Sequence, residues 1–269
     1  MKTTQSGNRL KTAINRYLEL MRSLGRGYLG EERILMSLLR FIEDAGSVEL
    51  DLNTFEGWEK NFANLSANTR RYRLGIIRKF CVYRSRTEPT CFVPDKYRFP
   101  RSCPPVSPVI FGSEAVARML IAAGKMQPTP VSPFLPAVMR FAVVLLYTAG
   151  LRRGELLRLC LADADAAKGL LRIRESKFHK SRFVPLSRDA CQELRHYLKQ
   201  RMAPPLPAAP SSPLLCHRKG GLRAYTGQGL SYGIKKLFQI ADVQSPDGRR
   251  PRVQDFRYPN LNKIQTFSY

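Results

Sequence analysis

Six prolines stand between positions 89 and 108: Pro89, Pro94, Pro100, Pro104, Pro105 and Pro108. Proline has no backbone N–H, and its ring clashes with the carbonyl one helical turn back, so no packed helix runs through this stretch. The chain of 269 residues is thereby divided into two parts, each long enough to bury a core of its own. The stretch reads as an interdomain linker, semi-rigid rather than floppy, with the joint placed at residues 101–109. The expected organisation is a first domain over 1–100 and a second over 110–269.

Before the prolines the apolar residues recur at helical spacing. Leu10, Ala13, Ile14, Tyr17, Leu18, Met21 and Leu24 mark a helix that Gly25 and Gly27 end. Ile34, Leu35, Leu38, Leu39 and Ile42 mark a second, closed by Gly46, and a third covers Leu52–Phe62 with Trp58 in the core. Asn68 or Thr69 can cap a fourth that runs to about Ser85. This fourth helix turns Leu74, Ile77, Phe80 and Cys81 inward. It also carries Arg70, Arg71, Arg73, Arg78, Lys79, Arg84 and Arg86, without one acidic residue among them, and Tyr72 and Tyr83 interleave with the cations.

After the prolines, Ser113 can cap a helix containing Val116, Met119, Leu120 and Ala123. Val138–Tyr147 is apolar nearly all round, as a central buried helix is. Gly150 breaks it, and a further helix carries Glu155, Leu156, Leu157 and Leu159. Leu170–Arg174 and Arg182–Leu186 read as two strands around a basic turn, and Asp189–Arg201 as an amphipathic helix. The prolines of 128–136 and of 204–213 read as loops. His217-Arg218-Lys219-Gly220-Gly221 reads as a strand end and turn, and Gly227–Gly233 as a loop preceding a helix with Ile234, Leu237 and Phe238. The fold class is mostly α with a small antiparallel β-sheet.

Forty-five Lys and Arg against 21 Asp and Glu leave a net charge of +24. A surplus of that size speaks of partners and solubility, not of fold, and it selects polyanions. No apolar run approaches the roughly 20 residues that span a bilayer. Met1-Lys2 is followed by Thr, Gln, Ser and Asn instead of a secretory segment, so a cytoplasmic, nucleoid-associated protein is expected and a membrane partner is not. The cysteines, Cys81, Cys91, Cys103, Cys160, Cys191 and Cys216, show no metal-binding spacing, and His179, His196 and His217 are dispersed. No metal and no other cofactor is expected, and double-stranded DNA is the leading partner. The Arg70, Arg71, Arg73, Arg78 and Lys79 face can follow a phosphate backbone, each neutralised phosphate releasing counterions. A solvated helix face is the alternative for these residues. His179 and Lys180, on the basic turn, are further candidates for DNA contact.

Phosphodiester exchange passes through a five-coordinate, highly anionic phosphorus, so fixed cations must meet charge that grows in the transition state. Arginine suits this because its planar fork grips two phosphate oxygens and stays protonated. A lysine can protonate the departing sugar hydroxyl. Arg152 sits at the start of a helix, where backbone amides also favour an anion. Arg153 diverges from it by about 100°, and Glu155 can pair with a neighbouring cation to hold the segment.

The segments Thr148-Ala-Gly-Leu-Arg-Arg-Gly-Glu155-Leu-Leu-Arg-Leu159, Leu170-Leu-Arg-Ile-Arg-Glu-Ser-Lys177-Phe-His-Lys-Ser-Arg182-Phe-Val-Pro-Leu186 and Arg252-Val-Gln-Asp-Phe-Arg257 together resemble the tyrosine recombinases, or phage-type integrases. The resemblance covers about residues 110–258; residues 1–100 match it in style only. It implies a helical, SAM-like core-binding domain followed by an α+β catalytic domain that breaks and rejoins DNA through a 3′-phosphotyrosine link. In that scheme Arg152 and Arg257 clamp the scissile phosphate, Lys177 is the general acid, and Asp163 stands where the family often has an aspartate. No metal or nucleotide is used, and such proteins work as DNA-bound tetramers.

Two departures follow. Gln254 stands where the family usually has histidine, and glutamine hydrogen-bonds a phosphate oxygen without exchanging a proton near neutral pH. Tyr258 replaces a further histidine. The family goes on from the second arginine to a helix, a Leu-Gly-His or tryptophan segment and the nucleophilic tyrosine. Here Pro259–Tyr269 follows, rich in Asn, Lys, Ile, Thr, Phe and Ser, and Tyr258 and Tyr269 stand too near Arg257 to serve. The sequence therefore reads as a truncated, catalytically defective member whose frame is lost after about Tyr258. A non-catalytic DNA-binding accessory protein is the alternative, and a basic RNA-associated protein a third.

Overall fold

The computed structural model describes residues 3–174, 181–204, 206–245 and 247–257. The chain separates into two compact units, Met1–Pro105 and Val106–Tyr269. Among the described residues both are mainly helical, and the second also carries small antiparallel sheets.

The first unit contains α1 (Thr3–Ser23), α2 (Leu29–Asp44), α3 (Leu52–Lys60) and α4 (Ala67–Arg84). The residues at helical spacing form its core, with Leu10, Ile14, Leu18, Leu35, Leu38, Ile42, Trp58, Leu74, Ile77 and Phe80 all buried. Gly46, at φ +65°, closes α2 in the left-handed conformation that glycine adopts without a Cβ clash. The cap of α4 is Ser66, whose hydroxyl accepts from the Thr69 N–H, and neither Asn68 nor Thr69. Asn68 instead holds the backbone of Cys103: its Oδ1 accepts from the Cys103 N–H at 2.7 Å and its amide donates to the Cys103 carbonyl at 3.3 Å.

Much of the proline-rich stretch is no free linker. Phe92 and Val93 pack against the first core, Phe99 is buried, and Lys96–Arg98 form a 3-10 turn capped by Asp95. Prolines forbid a helix but not burial, and the aromatic and β-branched residues between them cover apolar surface. Carbonyls left without helical partners are taken up by arginines of α4: Arg71 donates to the Pro100 carbonyl at 3.0 Å, and Arg78 to that of Pro94.

The second unit is built around α6 (Leu135–Thr148), on which Val138, Met139, Phe141, Ala142, Val143, Leu145 and Leu146 are all buried. Five elements pack on it: α5 (Ser113–Gly124), α7 (Arg153–Arg158), α8 (Arg188–Arg201), α9 (Gly227–Ile240) and a C-terminal 3-10 turn, Val253–Arg257. Ser113 opens α5 as its first residue, and Gly112 occupies the cap. Gly227, Gly229 and Gly233 lie inside α9 instead of before it, with Thr226 as the cap. Packing explains Gly233, since a Cβ there would stand 2.5 Å from Met139 Sδ on α6.

A three-stranded antiparallel sheet runs β1 (Ala164–Asp165), β2 (Leu170–Ile173), β3 (Arg182–Pro185), with Ile173 opposite Arg182. A short ribbon pairs β4 (Cys216–His217) with β5 (Arg223–Ala224). The loop after α8 is held from within: the buried Arg201 donates to the carbonyls of Pro207 and Pro213.

The close approach of α9 to α6 predicts that Gly233→Val overpacks the core, with a loss of about 2 kcal/mol. Urea denaturation measures it. Gly233→Ala should lose less, because alanine recovers about 1 kcal/mol of helix propensity over glycine.

Candidate active site

Gly150, at φ +58°, turns the chain out of α6, and the fully buried Leu151 pins the turn to the core. Arg152 then caps α7 with its side chain 42% exposed. α7 is only six residues long, so the guanidinium, more than any helix dipole, supplies the positive charge here.

Glu155, three residues on, has its side chain 2% exposed and is enclosed by donors. The Arg152 N–H donates to its Oε2 and Arg152 Nη1 to its Oε1, each at 2.9 Å. Arg182, the first residue of β3, donates Nη1 to Oε1 and Nη2 to Oε2, both at 3.0 Å. Burial alone would raise the carboxyl, but the bonds from Arg182 and Arg152 prevail and hold it down at about 2. Arg153, the first helical residue, makes its contacts elsewhere. Its Nη1 lies 3.0 Å from Ser231 Oγ, and its guanidinium rests against Gly227, so it ties α7 to α9.

A second buried carboxylate repeats the pattern. Asp163, with its side chain 2% exposed, accepts from the Cys160 N–H at 3.0 Å and from Nε of Arg174. Arg174 follows β2 directly, and Arg182 opens β3. The two arginines at the facing ends of these paired strands therefore each stand on a buried acid. Lys177, His179 and Lys180 lie outside the described residues, as do Tyr258 and Tyr269.

The C-terminal turn is positioned by its apolar residues. Phe256 is fully buried, its ring 4.7 Å from Phe111 and 5.8 Å from Phe238. The buried Asp255 accepts from the Arg252 N–H at 2.8 Å and from the Arg252 guanidinium at 2.9 Å. In a 3-10 turn residues three apart eclipse one another. Val253 and Phe256 therefore face inward together, while Gln254 and Arg257 share the outer face, both exposed. Arg152, Gln254 and Arg257 are thus presented by two elements that rest on the same helix, α6.

The basic residues of α4 belong to the first unit, and most are engaged there. Arg70 pairs with Glu59 at 3.0 Å, Arg73 lies 4.6 Å over the Phe62 ring, and Arg71 and Arg78 hold Pro100 and Pro94. Lys79 is exposed. Arg84 is buried between Glu49 and Glu88. Sequence reasoning missed Arg182, Arg174 and Asp255 as parts of the site. The available signal was Glu155 itself, since one arginine can face a carboxylate from only one side and leaves the other side of a buried one to a second donor. Among the described residues no group of His, Cys, Asp or Glu could hold a metal ion, and no helix is long and apolar enough to cross a membrane.

Glu155 generates a pH prediction. Its folded value lies below its ordinary 4.5, so the stability it contributes is present above that pH and is lost as pH falls toward about 2. Urea melts across this acid range should show that loss in the native chain. Glu155→Gln should be less stable at neutral pH and flatter in its acid dependence.

The chain resembles known proteins along most of its length. Residues 117–249 match the model of the phage integrase family. The protein described as "Putative integrase/recombinase y4rB" of Sinorhizobium fredii is 30% identical over 251 residues, covering 92% of this chain and 79% of the relative. Among solved structures, the Tn1549 transposon integrase in complex with transposon right end DNA superposes with TM-score 0.61 at 15% identity, covering 91% of this chain and 84% of that one. Lambda integrase bound to DNA gives 0.58 at 15%, covering 92% and 83%. With 30% identity to a relative over most of both chains and a match to the family model, the chain belongs to the phage integrase family, the tyrosine recombinases.

Proposed function

We propose that this chain binds double-stranded DNA and acts at a phosphodiester by the tyrosine-recombinase reaction. The observation that carries the reading is the partly exposed Arg152 guanidinium, oriented by a buried carboxylate and presented with Arg257 on elements packed against α6. In the family's reaction a tyrosine, a role assigned to no residue of this chain, gives up its hydroxyl proton and its oxygen bonds to phosphorus as the bond to the 5′ oxygen breaks, and that oxygen takes a proton. Arg152 and Arg257 meet the growing negative charge, and Gln254 donates an N–H to a phosphate oxygen. Lys177 donates the proton to the leaving oxygen. The phosphate bond energy stays in the covalent link, so rejoining needs no external energy. The +24 net charge favours the DNA complex at low salt. Lys79 and the other basic residues of α4, with His179 and Lys180, contribute to backbone contact. Assembly on DNA as a homo-oligomer, a tetramer as in the family, and a cytoplasmic location at the nucleoid belong to the same reading.

Two measurements test it. Gel-shift titrations should show duplex DNA preferred over RNA at matched salt, with affinity falling steeply as salt rises. Arg152→Ala should leave nonspecific affinity within about threefold, since one phosphate contact among many is lost, while abolishing any covalent protein–DNA adduct on a cognate site. An adduct formed by the native chain assigns it strand cleavage. Binding without any adduct makes it a DNA-binding accessory protein. Preference for RNA would overturn the reading.

A further inference from the structure

We infer that Arg182 is a positioning residue for Arg152, acting through the carboxylate of Glu155 that both arginines share; the inference rests on the phosphate-binding reading of Arg152.

Three observations lead there. Arg182 approaches Glu155 with its fork, giving each carboxylate oxygen one N–H at 3.0 Å, which fixes the carboxylate plane. Arg152 uses only one side-chain nitrogen on the same group, Nη1 to Oε1, and its side chain stays 42% exposed. Glu155 therefore gives Arg152 an anchor without surrounding it. A carboxylate enclosed this deeply stays ionised only while its donors remain, so removing Arg182 weakens the anchor and raises the carboxyl's affinity for a proton. The two arginines also come from different elements. Arg182 stands on a strand whose partner, Ile173, is buried in the core, whereas Arg152 stands at the mouth of a six-residue helix. Arg182 thus ties the shared carboxylate to the sheet, and Arg152 leans on that carboxylate from the helix end.

Arg174 provides the internal control. It stands at the facing strand end and is also paired with a buried acid, but its acid is Asp163 and it makes no contact with Glu155. Losing it should loosen the hairpin without touching the anchor of Arg152.

The test follows the full-length chain by NMR, with labelled arginine and glutamate and the Arg152 signals assigned by comparison with Arg152→Lys. In Arg182→Gln the Glu155 titration midpoint should rise by about one unit or more, and rotation of the Arg152 guanidinium should quicken. Arg182→Lys, which keeps the charge but loses the fork, should fall between native and Arg182→Gln, and it carries the test if Arg182→Gln does not fold. Arg174→Gln should leave both signals at their native positions. The inference is overturned if Arg182→Gln moves neither signal, or if Arg174→Gln moves them as far. Adding duplex DNA separates the inference from the function on which it rests. A native Arg152 signal that ignores the duplex would sink the phosphate-binding role, while the variant comparison would still report whether Arg182 orients Arg152.

Discussion

A carboxylate withdrawn from water stays charged only if the protein returns the hydrogen bonds that water supplied, and Glu155 obliges the chain to return four. One comes from the backbone of Arg152, one from its side chain and two from Arg182. Those demands join α7 to β3, although 27 residues separate the partners. An acid that looks like a liability in the interior becomes the point on which helix, sheet and exposed arginine are aligned. Asp163 repeats the device on Arg174, so charge adds to the apolar contacts of Leu171 and Ile173 in holding the strand ends on both sides.

The apolar side of the architecture is simpler. α6 has almost no polar surface, so everything placed against it must be apolar on one face and can be polar on the other. α7, α9 and the C-terminal turn meet that requirement, and their outward residues include Arg152, Gln254 and Arg257. The arrangement of these outward residues is a by-product of packing order: elements distant in sequence share one hydrophobic support and so present their polar residues from a common base.

The helices and the hairpin were legible because they follow from period alone: Leu35, Leu38 and Ile42 in α2, the apolar run of α6, and the two strands around a basic turn. Motif spacing singles out Arg152 and Arg257, and the structure leaves both at least partly exposed. What period and spacing could not convey was partnership. The fourth helix displays its arginines in sequence as though they faced solvent, yet Arg71 and Arg78 cap carbonyls of a segment that proline had marked as a linker. Cap identity failed for a related reason, because Ser66, Asn68 and Thr69 are chemically interchangeable at that position and only the chain path decides which one turns inward. Arg182 was hidden because a strand arginine discloses its role only when the acid opposite it is known.

The burial of Phe256 between Phe111 and Phe238 has an evolutionary consequence. Arg257 is carried by a segment that also closes the core, so under the proposed function selection for folding and selection for phosphate contact act on one five-residue turn. A lineage that abandoned DNA cleavage could discard Gln254 and Arg257 freely, but it would have to keep Val253, Asp255 and Phe256 to remain folded. Under that proposal the outward residues of this turn are a record of activity, and its inward residues a record of stability.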